Sequence, residues 1–150
     1  MIRPATLADV VSIVALGRIM VTESWYRHHP YDAEKTAETI RRLIEGEFAV
    51  VHEVDGVIDG FLLGYTAELW FSRDLGAFDL GLYVREDRRG GSIAFRLVAA
   101  YLDWARVKGA TEITISSSCG VEKDSITRLM LGTGFTHVGG VFKRKGAQYV

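Results

Sequence analysis

The apolar positions of this chain change period several times, and each change marks an element. Residues 48–54 (FAVVHEV) and 57–69 alternate with the two-residue period of strands, and Asp55-Gly56 between them favours a tight hairpin turn. FDLGLYV (78–84) repeats the strand pattern after a loop over 71–76. From Gly91 the spacing becomes helical: Ala94, Leu97, Val98, Tyr101, Leu102 and Ala105 share one face, and Gly109 suits a C-cap. Upstream, Ile2–Pro4 reads as a short strand. Thr6 and Asp9 read as a capping pair, with Thr6 accepting from a helix-start N–H. The helix that follows sets Leu7, Val10, Val11 and Val14 inward and runs to Glu23. Asp32 is the expected cap of a second helix, with Ala37, Ile40, Leu43 and Ile44 inward and an end near Gly46. Downstream, Thr111–Ser117 reads as a strand and Glu122–Leu131 as a helix. Gly134-Phe135 then opens a closing pair of strands near Thr136–Val138 and Val141–Lys145.

The expected order is therefore β, α, α, β, β, β, α, β, α, β, β. No repeat or linker divides it, so residues 1–150 are expected to form a single domain. Charged residues make up 25% and balance to a net charge of −1, which gives no global drive toward nucleic acid or a membrane surface. One cysteine, Cys119, rules out an internal disulfide and fits a reducing cytoplasm. No apolar run approaches a membrane span, and Asp9 interrupts any signal-like start, so a cytoplasmic protein is expected.

The most informative stretch joins the strand at 78–84 to the longest helix through VREDRRGG. A glycine-rich turn there can gather backbone N–H groups at the positive end of a helix dipole, and Arg88 and Arg89 add full charges, so a phosphate-bearing ligand is expected. The turn lacks the Gly-Lys-Ser/Thr of a nucleotide-triphosphate loop. It also lacks the three spaced glycines and early position of a dinucleotide fingerprint.

Arg89-Gly90-Gly91-Ser92-Ile93-Ala94 resembles the acyl-CoA motif of the GNAT N-acyltransferases, Q/R-x-x-G-x-G/A, with Ser92 where its first glycine usually stands. The opening IRPAT, the order of elements and Thr133-Gly134-Phe135 extend the resemblance over essentially the whole chain. The ESWYRHHPYD loop and the DLGLYV strand are similar to phage- or prophage-type members. The resemblance implies an α/β (α+β, three-layer) fold, with a mixed, largely antiparallel sheet flanked by helices and splayed at its two central strands. It implies an acetyl-CoA-dependent N-acetyltransferase acting by direct attack on a primary amine in a ternary complex, without a metal. Members often pair, which makes a homodimer compatible.

Carried over, Leu82, Tyr83 and Val84 would face the pantetheine, and Leu82 N–H would hold the thioester carbonyl as an oxyanion-type donor. Gly81 would permit a local bulge, and Arg89, Gly90, Gly91, Ser92, Ile93 and Ala94 would cradle the diphosphate. The tyrosine that often serves as acid is replaced by Met130, and an asparagine earlier in that helix by Lys123. This departure leaves open a second reading, a CoA-binding sensor or partner-binding protein without transfer activity. A purely structural dimer unit is a third. Replacement catalytic candidates are Asp79 as base, Tyr83, and Ser117 within Ser116–Cys119, where the lone Cys119 thiol is either a site for acylation or a small core or loop residue. Glu23, Tyr26 and His28 are the acceptor-loop candidates, with His29 beside them. Trp70 and Phe71 either line the acceptor pocket or cap the sheet. The 143–145 basic run reads as a solvated edge.

Overall fold

The computed structural model describes residues 1–121 and 123–147. Five strands form one open sheet in the order β1 (Ile2–Pro4), β2 (Phe48–Val54), β3 (Val57–Glu68), β4 (Leu75–Val84) and β5 (Glu112–Thr114). The first three pairings are antiparallel and the β4–β5 pairing is parallel. The β2–β3 turn falls at Asp55-Gly56 as expected, both residues taking positive φ (49° and 78°).

Helices α1 (Val10–Glu23) and α2 (Ala33–Gly46) cover one face of the sheet, and α3 (Ile93–Val107) covers the other. Strand alternation separates two cores. Ala49, Val51, Phe61 and Leu63 pack with Ile13, Leu16, Ile40 and Leu43, while Phe48, Val50, Leu62 and Ala77 pack with Leu97, Val98, Tyr101 and Ala105. Each fully buried side chain of this size stabilises the fold by about 1.5–3 kcal/mol. Gly64 leaves room for α3 to pack on β3: a Cβ there would lie 2.9 Å from the Tyr101 ring. Ile126, Leu129 and Met130 of α4 (Lys123–Gly132) join the α3 core.

Three local expectations need correction. Leu7 and Val11 are exposed (54% and 79%), and Ile13 takes the inward place on α1. Residues 7–9 form a 3₁₀ turn of three residues per turn before the α-helix begins, which shifts the phase of the apolar stripe. The Thr6–Asp9 pair forms, but the Asp9 carboxylate accepts from both the Thr6 N–H (2.7 Å) and its hydroxyl (2.9 Å). Arg3 donates to the same carboxylate and holds it well below the usual acidic range.

The third correction concerns the end of the chain. Residues 135–146 form no strand, so Thr136–Val138 and Val141–Lys145 stay outside the sheet, with Phe142 99% exposed. The edge available to them is short, because β5 is laddered over three residues only. Gly139-Gly140 further weakens any strand there. Of the expected last helix, Glu122 lies outside the described residues, as does the Lys123 side chain.

Candidate functional site

The seam between β4 and β5 closes over three pairs, Gly76–Glu112 to Phe78–Thr114, and then opens. The next residue of β4, Asp79, explains where it stops. Its carboxylate accepts from the Ser116 N–H at 2.8 Å and approaches the Ser116 hydroxyl at 3.3 Å. A side chain thus takes the place of the ladder partner, and the strands diverge beyond it.

One residue later β4 bulges: Leu63 pairs with Gly81 and Gly64 with Asp79, which leaves Leu80 as the extra residue. The bulge changes the parity of the strand. Asp79 and Leu82 face the α3 side, whereas Gly81 and Tyr83 face α1 and α2. Tyr83 and Asp79 are therefore on opposite faces of the sheet. The Val84 carbonyl accepts from Arg89 Nε at 2.8 Å, so it points away from β3. Main-chain groups two residues apart in a strand address the same edge, so those of Leu82 also point into the gap.

The gap is a cavity of about 440 Å³. The β4 residues 79–84 form one wall, and Ile115 with Ser116–Cys119 the other. The turn and first residues of α3 close one end, and Ile126 and Leu129 of α4 cover it. Burial raises the Asp79 carboxyl above its usual range, against the lowering effect of the Ser116 bonds. Gly90 has φ +86°, a left-handed conformation that favours glycine. The first bond inside α3 runs from Arg96 N–H to the Ser92 carbonyl, so the preceding N–H groups lie at the open, positive end of the helix. Arg88, Arg89 and Arg128 border the same space.

The expected cofactor residues Leu82, Tyr83, Val84, Arg89, Gly90, Gly91, Ile93 and Ala94 all border this cavity, and Ser92 stands just outside its walls. Of the catalytic candidates, Asp79 and Ser117 face it together. The Tyr83 hydroxyl is turned away and donates to Glu23 Oε1 at 2.9 Å; burial together with that carboxylate pushes it up to about 12.

Arg89 Nη2 donates to the other Glu23 oxygen at 2.6 Å, and its guanidinium lies 5.2 Å from the Tyr83 ring. Glu23 thus anchors the glycine turn to the end of α1. Tyr26 borders the cavity, and its hydroxyl takes a hydrogen bond from Lys143 of the tail. That lysine therefore has a partner rather than lining a solvated edge. His28 packs at a tilt against His29 (ring centroids 4.4 Å apart) outside the cavity walls, and burial and neighbouring cations lower its pKa. Trp70 and Phe71 are 95% and 70% exposed at the β3–β4 tip, away from the cavity. Met130 is buried in the α3 core, and Ser125, Ile126, Arg128 and Leu129 are the α4 residues that meet the cavity. The Cys119 carbonyl accepts from the Trp25 N–H at 2.8 Å, which ties the 24–29 loop to the cavity wall.

A network that sequence reading missed supports the turn from beneath. Asp59 is the extra residue of a bulge between β2 and β3 and is buried with His52. His52 Nδ1 lies 2.5 Å from Asp59 Oδ1, and Arg96 of α3 lies 3.1 Å from Nε2. A guanidinium can only donate, so Nε2 accepts and the ring proton sits on Nδ1, toward Asp59. The other Asp59 oxygen holds Arg88 Nε at 3.0 Å. Asp59→Asn is expected to cost about 2–3 kcal/mol of stability. A denaturant melt checks this, and an unchanged midpoint would contradict it.

Among the described residues, no group of three or more His, Cys, Asp or Glu is placed to hold a metal ion, and no helix is long and apolar enough to cross a membrane.

Residues 17–126 match the family model described as Acetyltransferase (GNAT) family. No curated protein matches the chain at a significant level. Solved structures share its fold. The ribosomal-protein-alanine N-acetyltransferase of Brucella melitensis biovar Abortus 2308 is 18% identical, with a TM-score of 0.70 over 97% of this chain and 99% of that one. The aminoglycoside enzyme AAC(6')-Iy, in complex with a bisubstrate analogue, is 19% identical with a TM-score of 0.75, covering 98% of each chain. A transcriptional regulator from Bacillus halodurans C-125 is 17% identical with a TM-score of 0.77, over 97% of this chain and 99% of that one. Such distant likenesses establish architecture. The family match covers most of the chain, which belongs to the GNAT acetyltransferase family and is an acyltransferase of that kind.

Proposed function

We propose that this GNAT-family chain moves an acetyl group from acetyl-CoA to a primary amine by direct attack, with both substrates bound at once in a single domain spanning 1–150. The observation that carries the reading is the opening of the β4–β5 seam directly above the glycine turn. Main-chain groups of Leu82 and Val84 face that opening, and Arg88, Arg89 and the N–H groups of residues 90–94 sit at its end, a donor set suited to pantetheine and a diphosphate. Acetyl-CoA would supply the acyl group activated as a thioester. Leu82 N–H is the donor for the oxygen that gains charge in the transition state. Asp79, with its raised basicity, takes a proton from the ammonium form of the acceptor. The Ser117 hydroxyl lies on the facing wall, where a proton returns to sulfur. In balance, a C–N bond forms, the C–S bond breaks, and the ammonium leaves as an amide with release of a thiol and one proton.

A second reading has its own observation. Met130, where many family members carry a tyrosine acid, is buried in the core, which suits a chain that binds CoA as a sensor without transfer. Incubation with acetyl-CoA and a pooled set of amines separates the two. Thiol release above the hydrolysis background is expected; tight binding without release would favour the sensor.

A further inference from the structure

We infer that the acceptor of this site is a singly charged amine on an apolar body, and not a polycation such as an aminoglycoside or a polyamine. The inference rests on the acetyl-transfer reading above and adds the chemical class of the acceptor. A second cavity of about 250 Å³ lies on the α1–α2 side of the sheet, and Met20, Val21, Leu80 and Gly81 line both it and the first. The two spaces therefore adjoin at the bulge of β4. Gly81 sits at this junction, where a Cβ would make ordinary contact with Met20 and Phe61, 3.6 Å from each. An amine attacking a thioester held at Leu82 would send its substituent through this junction.

The substituent meets an apolar surface formed by Ile13, Met20, Ile40, Phe61 and Leu63. The one charged side chain among the described residues lining the second cavity is Lys35, and Arg18 stacks on the Tyr31 ring that borders it (4.7 Å). In the first cavity the described walls carry a single carboxylate, Asp79, against three arginines. Nearby Glu23 is already shared between Arg89 and Tyr83. One ammonium thus finds one carboxylate. A second or third positive charge would enter apolar surface without a counter-charge and meet Lys35 or an arginine, which is costly. An aromatic or branched aliphatic body gains by burial in the same place.

The test compares initial rates of acetyl-CoA-dependent thiol release with 2-phenylethylamine, spermidine and kanamycin, beside calorimetric titration of acetyl-CoA alone. The expected kcat/KM for 2-phenylethylamine exceeds those for spermidine and kanamycin by at least about tenfold. Thr39→Glu places a carboxylate on the second cavity's wall and is expected to narrow that ratio. A polycation used equally well or better overturns the inference and leaves the transfer reading intact. If acetyl-CoA binds but no amine reacts, 2-phenylethylamine is titrated into the CoA-loaded protein, and absence of binding overturns the inference. Failure of acetyl-CoA itself to bind removes the transfer reading and the inference with it.

Discussion

Arg89→Glu is expected to weaken acetyl-CoA binding by about a hundredfold, or about 3 kcal/mol, the scale of one charge-assisted hydrogen bond lost with a repulsion added. The guanidinium is held by the Val84 carbonyl and by Glu23, at the edge of the cavity where the diphosphate is proposed to lie. Reversing its charge sets a carboxylate against phosphate. It also sets that carboxylate against Glu23, so part of the loss could come from the turn moving. The double variant Glu23→Gln/Arg89→Glu removes that internal repulsion while keeping the one against the ligand. Calorimetric titration of both variants, with melting curves, divides the effect. Affinity lost in both is the expected result, and affinity unchanged in Arg89→Glu removes this turn from the site.

Asp79→Asn carries the second large effect, a fall in kcat of about 10²–10⁴-fold with acetyl-CoA affinity nearly unchanged. Asparagine keeps an oxygen that can accept from the Ser116 N–H, so the fork of the sheet should survive while proton transfer is lost. The sign of the pH dependence follows from burial. A raised carboxyl pKa places the acid limb of the wild-type rate profile above the usual carboxylate range, and the variant should lack that limb. A group whose folded pKa lies above its unfolded value destabilises the fold once pH rises past both values. Asp79→Asn should therefore melt no lower than wild type at neutral pH. An acid limb retained in the variant would clear Asp79 of the role of base.

The parts legible from sequence were those fixed by neighbours in the chain. The Asp55-Gly56 hairpin, the Asp32 cap, which accepts from the Lys35 N–H, and the α3 stripe each depend on residues a few positions apart. The glycine turn was legible for the same reason, since Gly90 needs its positive φ locally. Alternation in Thr111–Ser117 suggested a long strand, yet its ladder stops at Thr114 because a side chain 37 residues earlier takes the Ser116 N–H. The Glu23–Arg89–Tyr83 cluster joins residues 60 and 66 positions apart, and Asp59 meets Arg88 through a bulge that no periodicity announces. Glu23 was therefore read only as an acceptor-loop candidate, because its partners lie far away in the chain. The closing strands were placed from the local sequence after Gly134-Phe135, which carries no information about whether a neighbouring edge is long enough to receive them.

The central claim is that the turn between β4 and α3 grips the diphosphate of acetyl-CoA. It is tested most directly by following backbone amide resonances while acetyl-CoA is added to the wild-type chain. The account predicts saturable, one-to-one shifts at Gly90, Gly91, Ile93 and Ala94, together with Leu82 and Val84 on the open edge of β4. Unchanged amides in that turn at saturating acetyl-CoA, or shifts confined to another face of the protein, would contradict it.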